Sequence, residues 1–352
     1  MPPSCLYALW RHAQCAALAL CAVLNLSCPT QAQVTLLVPS RANIDAPTIE
    51  PAAESPRIEP PKAVPTGPAS QSRGKVVRDK AAQDKEEKMP AALEGAGVRN
   101  SDEGGAASHM PQTNRATAID EEVDLLITMM HPFTQDCLAM DMPELFTVLR
   151  YDNATPLGNG VLQGERRDLL GDVEEIRYLD KKAWGANVAL QKPGLYQFSI
   201  DSRPWWDAPR GRFIQHYVKT MLPVYGVERG WDTPIGQRFE IQPLIRPFGL
   251  TAPALFSGRV LLNGEPLRGA AVRLARINTD KGAVPTRWHE ELASSTDMAG
   301  QFAFVVNQPG WWCCMAQTAA DPLKGPDGTA RPLELGALFW FYVDSAAENR
   351  KR

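Results

Sequence analysis

Apolar and polar residues alternate with a period of two along much of the second half of the chain. Phe302, Phe304 and Val306 recur at every other position after the turn residues Asp297 and Gly300, the pattern of a strand with one buried face. Val272 and Leu274 point to one side of an earlier strand and Arg273 to the other. Asn263-Gly264 separates two apolar runs, and glycine accepts the positive φ that a tight hairpin demands. Pro309-Gly310 supplies a further turn before Trp311. Phe256 to Ala316 is therefore expected to form one small β-module, immunoglobulin-like or prealbumin-like.

The same pattern extends upstream. Strands are expected in 123–133, stopping at Pro132, and in 142–152, before the loop 153–160. Residues 187–201 have the form of a hairpin about Pro193-Gly194, with Tyr196, Phe198 and Ile200 sharing a face. Further strands are expected in 211–226 and 238–250. The run 335–343, flanked by Glu334 and Asp344, is too short to cross a bilayer and reads as a buried strand. Only 166–176 looks helical, and Gly171 interrupts it. The fold class expected is all-β, with two tandem β-sandwich domains at 119–248 and 249–345. They meet near Pro247-Phe248-Gly249, and a polar tail, 346–352, follows.

Composition changes the picture at the N-terminus. Arg11 precedes an apolar stretch from Ala16 to Leu26, and Thr30-Gln31-Ala32 gives a small-x-small ending. This is the shape of a cleavable secretory signal over 1–32, cut after Ala32, and it predicts a periplasmic or secreted protein. Lipidation at Cys28 is the lesser alternative, because Asn25 stands where such signals place leucine. Residues 33–118 mix prolines with charge runs and contain no aromatic residue. A disordered tether is expected there, since little apolar surface offsets the entropy of ordering. No membrane span is expected in the mature chain. A net charge of −3 offers no footing for nucleic acid.

Four of the seven cysteines, Cys5, Cys15, Cys21 and Cys28, fall in the predicted signal, leaving Cys137, Cys313 and Cys314. Adjacent strand residues face opposite ways, so at most one of Cys313 and Cys314 can meet Cys137. A single bridge and three buried free thiols both remain open.

The chain has no G-x-S-x-G, phosphate-binding glycine loop, HExxH or CxxC, and no catalysis is expected. The candidate chemistry is metal binding. His131 and His216 fall on the apolar sides of strands, and neutral imidazole suits nickel, cobalt, copper and zinc. Asp141 adds a carboxylate between Met140 and Met142, whose thioethers suit a softer ion. Asp136 and Cys137 are further candidates. The alternatives are core histidines bonded to carbonyls and methionines that simply pack. A second cluster is aromatic: Trp205, Trp206, Tyr217, Trp231, Trp311-Trp312 and Trp340. Exposed, these rings would form a sugar-stacking platform; buried, they are core.

The succession HPF (131–133), MDMP (140–143), PWW (204–206), FIQHYVK (213–219), GWD (230–232), IQPLIRPFGL (241–250), FSGRVLLNGEPLRGAAV (256–272) and TDMAGQFAFVVNQPGWW (296–312) resembles the DUF4198 family. The resemblance covers about 121–345. Its members are described as periplasmic components of nickel or cobalt uptake systems. It implies a nickel or cobalt ion as ligand and an inner-membrane metal-uptake transporter as partner. The C-terminal module also resembles carboxypeptidase-regulatory-like domains. Many family members place a histidine at the mature N-terminus; here Gln33-Val34 stands there. The function expected is transition-metal binding without catalysis, by His131 and His216 with Asp141 or a methionine. The alternative is a structural or interaction module of the cell envelope that binds protein or glycan.

Overall fold

The computed structural model describes residues 33–47 and 119–346. The protein is all-β, as expected: among the described residues the only helical turns are two 3₁₀ segments, Leu170–Asp172 and Arg287–His289. No described helix is long and apolar enough to cross a membrane. Strands of three residues or more are numbered here in chain order.

The first sheet holds β1 (Val34–Pro39), β2 (Glu121–Met130), β6 (Lys181–Leu190) and β5 (Val173–Tyr178), in the order β1-β2-β6-β5. The second and largest sheet contains β3 (Leu145–Tyr151), β4 (Glu165–Asp168), β7 (Gly194–Asp201) and β9 (Arg212–Val224) from the first half of the fold. It continues into β12 (Ala271–Arg276), β13 (Glu291–Ser295), β15 (Gly310–Lys324) and β16 (Ala330–Asp344) from the second. Its order is β13-β12-β15-β16-β9-β7-β3-β4, and β8 (Trp205–Asp207) pairs with β9. The third sheet is built on β11 (Ala254–Leu262), flanked by β10 (Phe239–Pro243) and β14 (Gln301–Val306).

Side-chain alternation shows how these sheets stack. On β16, Leu338 and Trp340 enter a core shared with the first sheet. Phe339 and Phe341 enter a second core shared with the third sheet. The central sheet is thus covered on both faces, which explains why 335–343 is continuously apolar. Cys313 and Cys314 divide in the same way, one into each core, and Cys137 joins the core of Cys313. All three thiols are free and buried. Burial raises each thiol's pKa, so these cysteines are poor nucleophiles.

Two sandwich cores are present, and they share one sheet. β9 and β16 run parallel and in register from Phe213↔Leu333 to Thr220↔Trp340. That ladder crosses the boundary expected near residue 249, and residues on both sides of it belong to one compact unit. The turn expected at Asn263-Gly264 is present, with φ of 53° and 83°, and pairs Leu262 with Glu265.

Three local expectations are corrected. The tether does not begin at Gln33: β1 pairs antiparallel with β2 from Val34↔Met130 to Pro39↔Leu125 and is buried. Its apolar residues add to the core, which outweighs the polar composition that follows; the remaining tether positions, 48–118, lie outside the described residues. The helix-like stretch 166–176 is instead β4, a 3₁₀ turn through Gly171, and the start of β5. Here pairing with β3 and β6 overrides a weak helical pattern. Finally, 187–201 is not a hairpin. β6 pairs within the first sheet and β7 within the second, so Pro193-Gly194 carries the chain between layers. Gly194 is needed there, because a Cβ would lie 2.7 Å from Arg150 Cγ and 2.9 Å from the Tyr151 carbonyl oxygen.

Candidate functional site

His216 lies on β9 and is 2% exposed, facing the core between the first and central sheets. Its Nδ1 is 2.9 Å from Thr35 Oγ1 on β1, and its ring meets Trp205 edge-on at 4.7 Å. The opposing position on β16 is Gly336. Any side chain there would place a Cβ 2.6 Å from His216 Cδ2, so the absence of one makes room for the imidazole. Trp340 Nε1 donates to the Thr35 carbonyl at 2.9 Å. His216 and Trp340 therefore hold β1 against the central sheet. Burial lowers the His216 pKa to about 3, which keeps the ring neutral.

His131 follows β2 and is 6% exposed. The Thr134 N–H donates to His131 Nδ1 at 3.1 Å, so the neutral ring carries its proton on Nε2. A metal could take Nε2 only after that proton moved and the turn bond broke. Burial lowers the His131 pKa, and Asp136 offsets part of the effect. His131 does share a crevice of about 10 Å³ with Cys313, Met315 and Glu291.

The remaining expected ligands separate. Met140 is buried and its carbonyl accepts from Trp184 Nε1 at 3.0 Å. Met142 is half-buried against the same core, whereas Asp141 is exposed. Asp136 is exposed and Cys137 is buried. Among the described residues, no three His, Cys, Asp or Glu side chains are placed to share a metal ion. The named tryptophans are buried or half-buried, which makes them packing residues rather than a solvated platform.

A different feature occupies the surface. Between β12 and β13, residues 277–290 form a loop that carries Trp288, 83% exposed. Internal bonds brace the loop: Asn278 Nδ2 donates to the Gly282 carbonyl at 3.0 Å, and the Gly282 N–H donates to Asn278 Oδ1 at 2.9 Å. Thr286 Oγ1 and His289 Nδ1 are 2.9 Å apart. The turn after His131 locks onto it. The Asn278 N–H donates to the Pro132 carbonyl at 3.0 Å, and Gln135 Nε2 donates to the Asn278 carbonyl at 2.8 Å. Together they enclose a groove of about 410 Å³ lined by Phe133, Trp288, Leu292, Trp312, Asn307 and Gln308. The HPF motif thus supplies a wall of the groove and a hydrogen-bonded anchor for its loop.

Sequence reasoning passed over Trp288. Its signal was a lone indole in the polar, proline-bearing run 285–291, where periodicity gives it no core to enter.

Buried charge appears elsewhere. Lys219 and Glu240 are 1% and 2% exposed and pair at 2.5 Å. Glu240 also accepts the Ile235 and Gly236 N–H groups at 2.9 and 3.1 Å. With its charge and its acceptors matched, this pair joins the central and third sheets and needs no ligand to explain it.

With this geometry in view, comparison with known proteins gives one firm result. The DUF4198 family, a domain of unknown function, matches residues 108–320. The chain belongs to the DUF4198 family. The match includes the His131 turn and the Trp288 loop, so the groove of this DUF4198 protein lies within it. No curated protein matches. Among solved structures, a point variant of BcpA, the major pilin subunit of Bacillus cereus, is similar at 11% identity and a TM-score of 0.13. The match covers 64% of this chain and 65% of the pilin, slightly under two thirds of the latter. A marsupial T cell receptor matches at 12% identity and a TM-score of 0.17, over 65% of this chain and 70% of the receptor. Red sea bream transglutaminase matches at 10% and 0.15, over 67% of this chain and 30% of the enzyme. Likenesses this low carry nothing about function.

Proposed function

We propose that this DUF4198 protein is a non-catalytic binding module of the bacterial envelope. In this reading the chain is exported, cut after Ala32, and works in the periplasm or outside the cell. Such a cut leaves β1, which starts at Val34, whole. The observation that carries the reading is Trp288, a large ring held in solvent by a braced loop above a preformed groove. Binding groups concentrate on loops positioned by a rigid scaffold, and a loop ordered in advance loses less entropy on capturing its ligand.

Hydrogen exchange of the purified chain, alone and with isolated cell envelopes, tests this reading. Protection confined to 277–290 and the turn at 131–136, lost in Trp288→Ala, is expected. Equal exchange with and without envelopes overturns it.

One observation favours a second reading, the metal binding expected from the family resemblance. His131, Cys313 and Met315 bring imidazole, thiol and thioether to one crevice, a donor set suited to a soft ion. Delivery of nickel or cobalt to an inner-membrane uptake transporter would be its role. Calorimetric titration with Ni²⁺, Co²⁺, Zn²⁺ and Cu²⁺ tests it. Stoichiometric binding abolished by His131→Ala supports it, and heats no larger than dilution refute it.

A further inference from the structure

We infer that the groove beneath Trp288 takes a neutral saccharide chain built from pyranoses with equatorial hydroxyls. This names the ligand class of the binding module proposed above and rests on that reading. Three observations converge on it.

The first is the ring itself. An indole left 83% exposed offers a flat apolar face with a polar N–H at its edge. Pyranoses with equatorial hydroxyls present a matching face of axial C–H bonds, with their hydroxyls directed outward around the rim. Phe133 and Trp312 continue the apolar lining below.

The second is charge. Arg276 and Asp280 pair at 2.7 Å at the groove edge, and Glu291 pairs with Arg273. Glu290 is engaged as well. Arg276 and Arg273 are thus already paired with carboxylates, so an anionic ligand would have to displace one of these pairs. A neutral ligand meets no such cost.

The third is the remaining polar complement. Asn307 and Gln308 are exposed at the lip, and their amides both donate and accept, as sugar hydroxyls do. The main chain at Gln308 is fixed, because its backbone carbonyl accepts from Trp312 Nε1 at 3.0 Å. The combination of an aromatic face, neutral two-way hydrogen-bonding groups and a loop ordered in advance matches the surface of a sugar. A purely apolar ligand would leave those amides unpaired.

The test uses the full chain with cellotetraose, N-acetylchitotetraose and maltotetraose as neutral probes and tetragalacturonate as the anionic one. Tryptophan fluorescence and calorimetry report binding. Saturable binding of at least one neutral probe is expected, weakened at least about ten-fold by Trp288→Ala and partly rescued by Trp288→Phe, with tetragalacturonate weaker. Circular dichroism of each variant checks that the fold is retained, as a residue this exposed predicts. The inference is overturned if no neutral probe binds up to about 5 mM, a limit near −3 kcal/mol of binding free energy. It is also overturned if Trp288→Ala binds as the parent does, or if tetragalacturonate binds best. Envelope-induced protection of 277–290 without binding of any oligosaccharide would remove the saccharide and keep the binding module; absence of both would remove both.

Discussion

His216 should make the stability of this protein fall on mild acidification, within a window that carboxylates do not dominate. Its ordinary pKa of 6.5 drops to about 3 in the folded chain, because burial disfavours the charged ring. The unfolded chain therefore binds more protons than the folded one between these values, and stability must decrease as pH falls through that interval. Integrating one proton from about pH 7.5 to about pH 4.5 gives a loss of about 2.6 kcal/mol, at about 1.4 kcal/mol per pH unit once below 6.5. That is a sizeable share of the 5–15 kcal/mol typical of a folded domain. Urea unfolding of the parent and of His216→Leu at a series of pH values would measure it. The readout is the difference in slope, which cancels groups common to both proteins. Those include His131, whose lowered pKa acts in the same direction, and Asp201, whose raised pKa opposes it. The variant should be less stable near neutrality, where the Thr35 contact is lost, yet lose stability less steeply on acidification. Parallel slopes would show that the ring is not held neutral by burial, and the account of this core would be wrong.

The remaining predictions are local. Gly336→Ala drives a Cβ into His216 and should cost about 1–3 kcal/mol in urea unfolding; adding His216→Ala should relieve part of that cost, a non-additivity that a double-mutant cycle detects. Lys219→Met strands the Glu240 carboxylate in the interior and should cost about 3–5 kcal/mol. Adding Glu240→Gln should recover part of it, since it removes the buried charge and its single amide oxygen keeps one of the two bonds that Ile235 and Gly236 now donate to separate carboxylate oxygens. Thr35→Val keeps the shape of the side chain but removes the His216 partner, for a loss of about 1–3 kcal/mol in thermal or urea unfolding. Trp288→Ala should leave the unfolding free energy within about 0.5 kcal/mol of the parent while weakening ligand binding at least about ten-fold.

Much of the architecture was legible because a strand that buries one face writes its period into the sequence. On β14, Phe302, Phe304 and Val306 are buried while Ala303 and Val305 are exposed, as the alternation requires. Topology was less legible. Nothing in the pattern of β9 says that its neighbour is β16, because parallel pairing joins residues far apart in the chain and both strands are covered on both faces. For the same reason 187–201 looked like a hairpin: turn chemistry reports a reversal, and cannot say whether the chain returns to the same sheet or crosses to the next layer. β1 was hidden by its setting. Val34-Thr35-Leu36-Leu37-Val38 is a β-branched, apolar run, but it lies between a signal-like leader and a proline-rich stretch. Asp141 and Met140 were expected to share a site, but they lie outside any strand, the first exposed and the second buried. What parity could not supply was the fixed tautomer of His131, which depends on one backbone N–H in a turn, or the exposure of Trp288, which depends on a loop with no period at all.

β1 and β2 are adjacent antiparallel strands, although they lie far apart along the chain, with Pro39 ending one and Glu121 starting the other. The connection between them therefore starts and ends at one strand pair, unlike a leash with one free end. The contacts that seat β1 do not pass through that connection. A single proteolytic cut within 48–118 would leave β1 seated by its ladder to β2 and by the Thr35 contacts with His216 and Trp340. Such a nicked protein would run as one species on a native gel and as two in detergent. The 33–47 segment, which carries β1, is in this sense a detachable part, and a synthetic peptide of that sequence should complement a chain from which it has been removed.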